Sequence, residues 1–426
     1  MNVGEAGACP EPVERVPRLS SPYKDALAWL YGTQRFGIKL GLENIQRLLR
    51  ELDVPAKGQR VVHVAGTNGK GSVCAMIDAV CHAQGYRTGL FTSPHLVTYR
   101  ERIQVDGEMI TEEKVAEGLT AIRQLISDWE PHPTFFEITT ALALMHFKEC
   151  GSELIALETG LGGRLDATNA VEPVVSVITP IGYDHQSWLG SSLEEIAGEK
   201  AGIVKPHVPV VSAAQEPTAE KVLRARAAGC EAPLQIVSGP YTTTPLALAG
   251  AHQKQNASLA IAALQFGGIA VDEQAIARGL ATVHWPARFQ RWEERTIIDG
   301  AHNPSGAYVL AETWREQFGA ERATIILAVL NDKDVAGIWR ALAPIARRAI
   351  LPHARSERAL APSHLARIGR EVSPQLSISI AASFSDAFDQ AQAESGRILI
   401  TGSLHFAGEA LATLGGDIAA FEECAQ

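Results

Sequence analysis

The sequence lacks the features that would place it in a membrane, in a disulfide-rich class or on nucleic acid. No apolar run approaches the roughly 18 residues that a membrane-spanning helix needs, and residues 1–22 are polar, with no hydrophobic signal core. The six cysteines include no Cys-x-x-Cys pair, which argues against a zinc site and a disulfide framework. A formal net charge of -10, with no run of Lys or Arg, argues against nucleic-acid binding. We therefore expect a cytoplasmic protein with a flexible leader over residues 1–22.

The chain is organised around the glycine-rich stretch at 66–72. This stretch, GTNGKGS, follows a β-branched apolar run and precedes an alanine-rich pattern that predicts a helix. Such a strand, turn and helix start point backbone N–H groups at phosphate. The spelling departs from the standard P-loop, since Val64 stands where the first glycine would be and Gly71 separates Lys70 from Ser72. The glycines still let the main chain wrap phosphates, and Lys70 supplies a cation, so we predict a nucleoside triphosphate site in preference to an empty turn.

Length and pattern favour two domains. At 426 residues the chain exceeds the size at which one hydrophobic core keeps growing. After about 203 the pattern predicts short strands as far as 251, and an alternation of strands and helices restarts after 285–290. Strands are predicted there over 296–298, 324–329, 349–351 and 398–401. The sequence thus predicts an α/β protein, with a P-loop ATP-binding domain over 23–286 and a smaller Rossmann-like domain over 287–426.

Polar side chains follow several of the predicted strands, at the sheet edge where parallel α/β folds bind ligands. Glu158 stands in the Walker B position, where a carboxylate holds Mg²⁺ directly or through water. Ser93 and His185 also follow strands, and for His185 a structural role and a ligand role stay equally open. By default Lys200 is a solvated surface charge. Asn256, on a predicted helix, either binds a base edge or faces solvent.

Nine motifs resemble, in order, those of one known family. They are GTNGKGS at 66–72, SPH at 93–95, Glu158 with the run at 160–169, DH at 184–185, EKAGI at 199–203, PARFQ at 286–290, DGAHNP at 299–304, DKD at 332–334 and TGS at 401–403. The set is similar to that of folylpolyglutamate synthase / dihydrofolate synthase, a branch of the Mur ligase superfamily. One motif alone carries little weight, but the ordered set spans the chain from about residue 23 to near the C-terminus.

The resemblance implies which residues form the site. ATP would be bound by Thr67, Asn68, Gly69, Lys70, Gly71 and Ser72, and across an interdomain cleft by Asn256, Arg288, Asp299 and His302. Mg²⁺, expected as two ions, would be held by Ser93, Glu158, His185 and a carbamylated Lys200; K⁺ is a further candidate cation. The pterin substrate would face Leu40, Gly41, Leu42, Thr134, Phe135, Phe136, Glu137, Leu165, Asp166 and Ala167. The implied catalytic residues are Lys70, Lys200 and His185.

The implied activity is ATP-dependent addition of L-glutamate to folates and to 7,8-dihydropteroate by a monomeric, amide-forming ligase. ATP would phosphorylate a substrate carboxylate, because oxide is too poor a leaving group for an amine to displace. The amine of glutamate would then attack the acyl phosphate, with Lys70 and Mg²⁺ offsetting negative charge. The segment at 37–42 lacks the Asp that bifunctional members often carry, which leaves open a folylpolyglutamate synthase alone.

Two further alternatives involve other proteins that bind nucleotides. A cell-wall Mur ligase uses the same chemistry on a UDP-sugar, but only 65 residues precede Gly66, fewer than its UDP-binding domain needs. A P-loop switch that makes no product needs no second metal site, so the constellation of Glu158, His185 and Lys200 favours an enzyme. Its partners would be small molecules, with no membrane and no nucleic acid among them.

Overall fold

The computed structural model describes residues 21–37 and 41–422, which form two α/β units. Of the predicted leader, only Ser21 and Pro22 lie in this part, and they cap and begin the first helix. Leu40, predicted to face substrate, lies outside the described residues. No helix in the described part is both long and apolar enough to span a membrane.

The first unit contains an eight-stranded sheet. Its strands are β1 (Arg60–Ala65), β2 (Thr88–Phe91), β3 (Ile103–Val105), β4 (Glu108–Met109), β5 (Leu154–Glu158), β6 (Val175–Ile178), β7 (Val210–Ala213) and β8 (Leu234–Val237), in the order β4-β3-β2-β5-β1-β6-β7-β8. Strand β3 runs antiparallel to both of its neighbours, β2 and β4, and all other neighbouring strands run parallel. Because β1 lies between β5 and β6, the carboxyl ends of these three strands meet at one edge.

Helices cover both faces of this sheet. They are α1 (Pro22–Gly32), α2 (Glu43–Leu52), α3 (Lys70–Gln84), α4 (Glu112–Leu125), α5 (Phe135–Glu149), α6 (Gln186–Leu189), α7 (Leu193–Ala201), α8 (Pro217–Gly229), α9 (Ala251–Phe266) and α10 (Glu273–Thr282). Successive strand residues point to opposite faces. Val61 of β1 therefore packs in a core with α1, α2, α4 and α5, whereas Val62 and Val64 pack in a second core with α3, α9 and α10.

The second unit is a six-stranded sheet in the order β13-β12-β11-β14-β10-β9. Its strands are β9 (Gln290–Arg291), β10 (Thr296–Ile298), β11 (Ala323–Leu327), β12 (Ala346–Pro352), β13 (Ser377–Ala381) and β14 (Ile398–Thr401), and its helices are α11 (Pro304–Phe318), α12 (Val335–Leu342), α13 (Pro362–Val372), α14 (Phe384–Gln392) and α15 (Leu404–Leu414). All neighbouring strands run parallel except β9 and β10. The predicted α/β protein with a second α/β unit is confirmed.

Two elements of the structure were not predicted from the sequence. The segment after 203 contains the predicted short strands, β7 and β8, but also the 13-residue helix α8. This helix is rich in Ala and charged residues and buries few side chains, so its sequence carries little apolar periodicity. Strand β13 was also not predicted. It lies at the edge of its sheet and alternates Ser with Ile, with most side chains at least partly exposed.

Helix α3, which starts at the glycine-rich stretch, is packed closely against α10 at Gly279. A Cβ at Gly279 would lie 2.6 Å from Cα of Val80 and 2.7 Å from the carbonyl oxygen of Ala79. We expect Gly279→Ala to lower the free energy of unfolding by about 1–3 kcal/mol, because the two backbones must separate. Gly198→Ala in α7 is the matched control, since its Cβ would meet no atom within 4 Å. Urea unfolding should show no loss for the control, and equal losses would contradict the packing argument.

Candidate active site

The loop at 66–72 requires glycine at two positions. Gly66 has a φ of 148° and Gly69 a φ of 91°. A Cβ on Gly66 would lie 1.8 Å from Oγ1 of Thr179, and a Cβ on Gly69 would lie 2.8 Å from Oδ1 of Asn256. The loop therefore follows a path that only glycine permits, directly before α3 begins at Lys70. This is the geometry in which a helix N-terminus binds phosphate.

The other residues of the loop contact neighbouring segments of the first unit. The Oγ1 of Thr67 accepts a hydrogen bond from the backbone N–H of Gly182 at 3.0 Å. Gly71 is covered by the indole of Trp285, whose Nε1 would lie 3.0 Å from an added Cβ. Ser72 is buried, and its Oγ accepts from Nε2 of Gln253 at 3.3 Å. The loop is thus positioned on both sides by its own domain.

Glu158 ends β5 and stands beside the loop. The strand register pairs it with Val64 of β1, and its side chain is buried. Its Oε2 accepts the backbone N–H of Ser93 at 3.0 Å, and its Oε1 lies 3.9 Å from Nζ of Lys70. Burial raises the pKa of Glu158, and the charge of Lys70 and the Ser93 amide act in the opposite direction. The structure therefore brings together the lysine, the acid and Ser93, as the sequence predicted.

Lys200 is buried rather than solvated, so the default interpretation of this residue as a surface charge was wrong. A capping box of Ser192 and Glu195 begins α7, and the helix directs Lys200 to the end of β1. There its Nζ donates a hydrogen bond to the carbonyl oxygen of Gly66 at 2.9 Å. Burial, with the nearby charge of Lys70, lowers the pKa of Lys200 to about 7. Much of the amine is thus neutral near physiological pH, which is the form that reacts with CO₂.

Asp184, which follows β6, receives three side chains from the second unit. Its Oδ1 accepts from Nζ of Lys333 at 2.7 Å, and its Oδ2 accepts from Nδ2 of Asn303 at 3.0 Å. Nε2 of His302 lies 3.5 Å from the same Oδ2. Burial alone would raise the pKa of Asp184, but His302 and the charge of Lys333 hold it well below its usual range. Asp184 is therefore an ionised contact point between the two units.

The loop at 66–72, which we call the phosphate loop, also contacts the second unit. Nδ2 of Asn68 donates to Oγ of Ser305 at 2.7 Å, and Nδ2 of Asn303 donates to Oδ1 of Asn68 at 3.1 Å. The Oδ1 of Asn303 also accepts the backbone N–H of Gly306, which caps the start of α11. The position of Asn68 is thus determined jointly by both units.

Arg288 and Asp299 occupy the start of the second unit. The carboxylate of Asp299 accepts the backbone N–H of Phe289 at 2.7 Å and that of Ala301 at 2.8 Å, so it shapes both turns around it. Burial lowers the pKa of Arg288, although the charges of Asp299 and Glu158 act to raise it. The guanidinium therefore acts electrostatically on the acid of the first unit, across the cleft.

Asn256 is buried, so the alternative that it faces solvent was wrong. Its Nδ2 donates to Oε1 of Gln253 at 3.0 Å. Asn256 also lines a small cavity with Pro180, Val237 and Leu259. The lining mixes apolar side chains with the polar residues Ser238, Gln255 and Asn256, which offer hydrogen-bond partners to the edges of a flat heterocycle.

The segments predicted to face the pterin share one apolar cluster. Phe135 and Ala167 are buried in this cluster, and Leu42 and Phe136 are packed against it. The loop at 160–169 contacts the ring of Phe136 so closely that a Cβ on Gly160 would lie 2.5 Å from it.

The polar members of the same segments already have partners. Thr134 and Glu137 form a capping box at the start of α5, in which Oε2 of Glu137 accepts the Thr134 N–H at 2.8 Å. Oδ2 of Asp166 accepts the Leu161 N–H at 2.8 Å. Leu165 is half-buried beside Asp166, and Gly41 lies just before α2. Contact of these residues with a substrate stays a prediction.

His185 adopts a left-handed backbone conformation, with φ of 50°, just before α6. Its side chain is partly exposed, with Nε2 3.9 Å from Oδ1 of Asp184. Burial lowers the pKa of His185 to about 4, so the imidazole is neutral and able to act as a ligand. Within 21–37 and 41–422, no three His, Cys, Asp or Glu side chains cluster closely enough to hold a metal ion. Glu158 offers one carboxylate and Ser93 one hydroxyl. Such a pair fits Mg²⁺, which is commonly bound by few carboxylates together with substrate phosphates.

Comparison with known proteins identifies the family. The Mur ligase middle domain matches residues 64–264, and the Mur ligase glutamate ligase domain matches residues 287–404. The dihydrofolate synthase/folylpolyglutamate synthase of Bacillus subtilis (strain 168) is 38% identical over 365 residues, which cover 76% of this chain and 83% of the relative. The chain belongs to this synthase family.

Solved structures of other members of the family have the same fold. E. coli FolC in complex with DHPP and ADP is 31% identical, with a TM-score of 0.83, over 94% of this chain and 99% of that chain. The bifunctional folylpolyglutamate synthase/dihydrofolate synthase of Yersinia pestis, complexed with AMPPNP and Mn ion, is 29% identical with a TM-score of 0.83. That match covers 94% of this chain and 100% of the other.

For this folylpolyglutamate synthase family member, sequence reasoning gave no role to Asp184, Asn303 or Lys333. The signal was present, since all three lie in motifs that carried the resemblance. Lys333 and Asp184 are 149 positions apart, and sequence spacing carries no information about a contact over that separation. Their contact depends on how the second unit is placed against the first.

The buried pair of Lys333 and Asp184 provides a test of the interface between the units. The side chains of the two residues are 6% and 8% exposed. We expect Lys333→Met to lower the free energy of unfolding by about 3 kcal/mol, because Asp184 stays buried without its closest cation. Lys114→Met is the matched control, since Lys114 pairs with Glu117 on the surface. Denaturant unfolding should separate the two variants, and a harmless Lys333→Met would show that the pair does not stabilise the interface.

Proposed function

We propose that this protein is an ATP-dependent ligase that joins L-glutamate to folates and to 7,8-dihydropteroate through an acyl phosphate. The observation that carries the proposal is the position of Glu158, buried 3.9 Å from Lys70 of the phosphate loop and acted on by the charge of Arg288 from the second unit. Charge that develops during phosphoryl transfer would meet fixed groups from both units there. Related enzymes support this assignment, because one solved structure contains DHPP and ADP and another, of a bifunctional folylpolyglutamate synthase/dihydrofolate synthase, contains AMPPNP.

ATP and a divalent metal ion follow from the same comparison, since relatives bind ADP, AMPPNP and Mn ion. In this chain Glu158, Ser93 and His185 would hold Mg²⁺, which would neutralise charge on the transferring phosphoryl group. We propose a second Mg²⁺ bound by a carbamate on Lys200. The buried, largely neutral amine of Lys200 supports the modification. K⁺ stays a prediction from the resemblance.

Each assigned group of the protein has a separate task in this scheme. The backbone of the loop and Nζ of Lys70 would bind the phosphates, and the cavity beside Asn256 would take the adenine. The contacts of Asp184 and Asn68 with the second unit would exclude water from the acyl phosphate until the amine of glutamate attacks. Leu42, Phe136 and the loop at 160–169 would orient the pterin end of the substrate.

The family matches fall within the two parts of the chain that we propose as domains. We propose an ATP-binding domain over 23–286 and a C-terminal ligase domain over 287–426, and the family matches at 64–264 and 287–404 support this boundary. We propose a monomer, as the resemblance to the family implies. The leader over 1–22 and the cytoplasmic location stay predictions.

The direct test is phosphate release from Mg-ATP in the presence of L-glutamate, with 7,8-dihydropteroate or a tetrahydrofolate as the second substrate. We expect release with both substrates, together with the glutamylated product by mass spectrometry. Release with the folate alone would establish the alternative, a folylpolyglutamate synthase without the dihydropteroate reaction. If neither substrate stimulates release, the substrate assignment is wrong.

Lys70→Ala should lower kcat by about 10²–10³-fold, because one charge stabiliser of the transferring phosphoryl group is removed. The fold should persist, since the side chain of Lys70 is partly exposed, and Glu158 keeps the Ser93 N–H and can take up a proton once the cation is gone. Lys114→Ala, at an exposed position on α4, is the control and should keep full activity. Activity of Lys70→Ala close to that of the wild type would refute the role of this lysine.

Lys200→Ala should lose activity that short carboxylates such as acetate or propionate partly restore, because an added anion can replace a carbamate at the site. The measurement is kcat against carboxylate concentration at constant ionic strength. Lys70→Ala is the control and should show no rescue, since its lost group is a cation. If no carboxylate restores Lys200→Ala while Lys200→Arg stays active, a cation rather than a carbamate acts at this position.

A further inference from the structure

His63 is a fully buried histidine for which the proposed mechanism has no role. It lies in the centre of β1, paired with Leu157 of β5 and Ser176 of β6. Burial lowers its pKa to about 3, with the charge of Lys205 acting in the same direction, so the ring is neutral. An imidazole in a strand of Val and Ala needs a polar partner to offset the loss of hydration.

The partner of His63 belongs to the loop at 160–169. Nε2 of His63 lies 2.8 Å from Oγ1 of Thr168, and the hydroxyl of Thr168 donates to Oδ1 of Asp166. Oδ1 of Asp166 also accepts the backbone N–H of Thr168 at 3.0 Å, and Oδ2 accepts that of Leu161 at 2.8 Å. The three side chains form a buried hydrogen-bond chain from the strand of the phosphate loop to the predicted substrate loop.

The hydrogen bonds from His63 through Thr168 to Asp166 all run in one donor-to-acceptor direction. Both oxygens of Asp166 are acceptors for backbone N–H groups, as expected of a carboxylate. Because Thr168 gives its single hydroxyl proton to Asp166, its oxygen can only accept from His63. Nε2 of His63 therefore carries the proton, and Nδ1 is a bare nitrogen with no hydrogen-bond partner among the described residues. The opposite tautomer would bury an unpaired N–H donor at Nδ1, which proteins avoid more strictly than an unpaired acceptor.

Asp166 determines the conformation of the loop at 160–169. Its bond to the Leu161 N–H closes the first turn, next to Gly160, and Gly160 packs against the ring of Phe136. A rotation of Thr168 would remove the hydroxyl donor of Asp166 and leave this carboxylate held by backbone N–H groups alone. The loop would then be held less firmly against Phe136, in the segment that we propose to orient the pterin.

We propose that His63 is a positioning residue for substrate binding: by donating Nε2–H to Thr168, it fixes the Thr168 hydroxyl on Asp166 and so holds the loop at 160–169 against Phe136. The inference rests on the proposed function for the identity of the substrate. It assigns His63 no contact with substrate or ATP. Its effect should therefore appear in the affinity for the pterin substrate and not in the affinity for ATP.

The test compares steady-state kinetics of His63→Leu, His63→Gln and Thr168→Val with those of the wild type. We expect the KM for the pterin substrate to rise about tenfold in His63→Leu and Thr168→Val, as is typical when a buried hydrogen bond loses one partner. The KM for ATP should stay within about twofold. His63→Gln should keep most of the wild-type affinity, because its amide can still donate to Thr168. The double variant His63→Leu/Thr168→Val should raise the KM for the pterin substrate no further than either single variant, since the two residues act through the same hydrogen bonds.

Three outcomes would overturn the inference: an unchanged KM for the pterin substrate, parallel changes in both KM values, or a His63→Gln variant no better than His63→Leu. Thr168→Val keeps the size of the side chain, so the test does not depend on the folding of His63→Leu. If the wild type itself makes no glutamylated product, the proposed function fails instead.

The tautomer of His63 can be measured without any turnover. In ¹⁵N-histidine-labelled protein, the ring signals that disappear in His63→Gln belong to His63. We expect a neutral ring that carries its proton on Nε2. A proton on Nδ1 would mean that the Thr168 hydroxyl donates to His63 rather than to Asp166, which would overturn the inference.

Discussion

The site depends on a buried carboxylate placed at the end of a central parallel strand. The charge of Glu158 is stabilised in the interior by Lys70, which lies 3.9 Å away, and by the backbone N–H of Ser93, which donates to it. An unpaired carboxylate in such surroundings would take up a proton, since the low dielectric disfavours its charge. The register of β5 with β1 therefore places the acid and the phosphate loop at one edge of the sheet. The loop at 160–169 follows the same strand, so the predicted substrate loop starts where the charge of the site is located.

The second unit is joined to this edge through the phosphate loop and through the turn after β6. Asn303 contacts both, because its side chain donates to Asn68 and to Asp184. A ligand that moves Asn68 would thus act directly on the start of α11, which Asn303 caps. Such a connection suits an enzyme whose intermediate reacts with water, since the occupied phosphate loop and the closed cleft can be coupled by the same side chains.

The sequence predicted those parts of the molecule whose cause is local. The glycine-rich loop, the helix after it and the acid after β5 each follow from residues close together in the chain, as does the alternation that gives two α/β units. Burial could not be predicted in the same way. Lys200 and Asn256 lie on helices whose patterns do not show which face is covered, and the tertiary packing makes both residues buried. The contact of His63 with Thr168 spans 105 positions, so no local pattern marks this histidine as different from its apolar neighbours in β1.

The loop at 160–169 also connects the substrate end of the site to the helix that carries Lys200. Nδ2 of Asn169 donates to the carbonyl oxygen of Gly202 at 3.1 Å, and the backbone N–H of Arg164 donates to the carbonyl oxygen of Glu199 at 2.8 Å. The last turn of α7 is therefore bonded to the loop directly beside Lys200. Binding energy from a pterin held by this loop would be transmitted to the groups around the phosphates, far from the ring itself. Enzymes use the binding of such a remote, unreactive part of the substrate to orient its reacting atoms. Because Asp166 shapes the loop and, as we propose, His63 fixes Asp166 through Thr168, β1 would contribute to both ends of the site: its carboxyl end to the phosphates and its interior to the substrate.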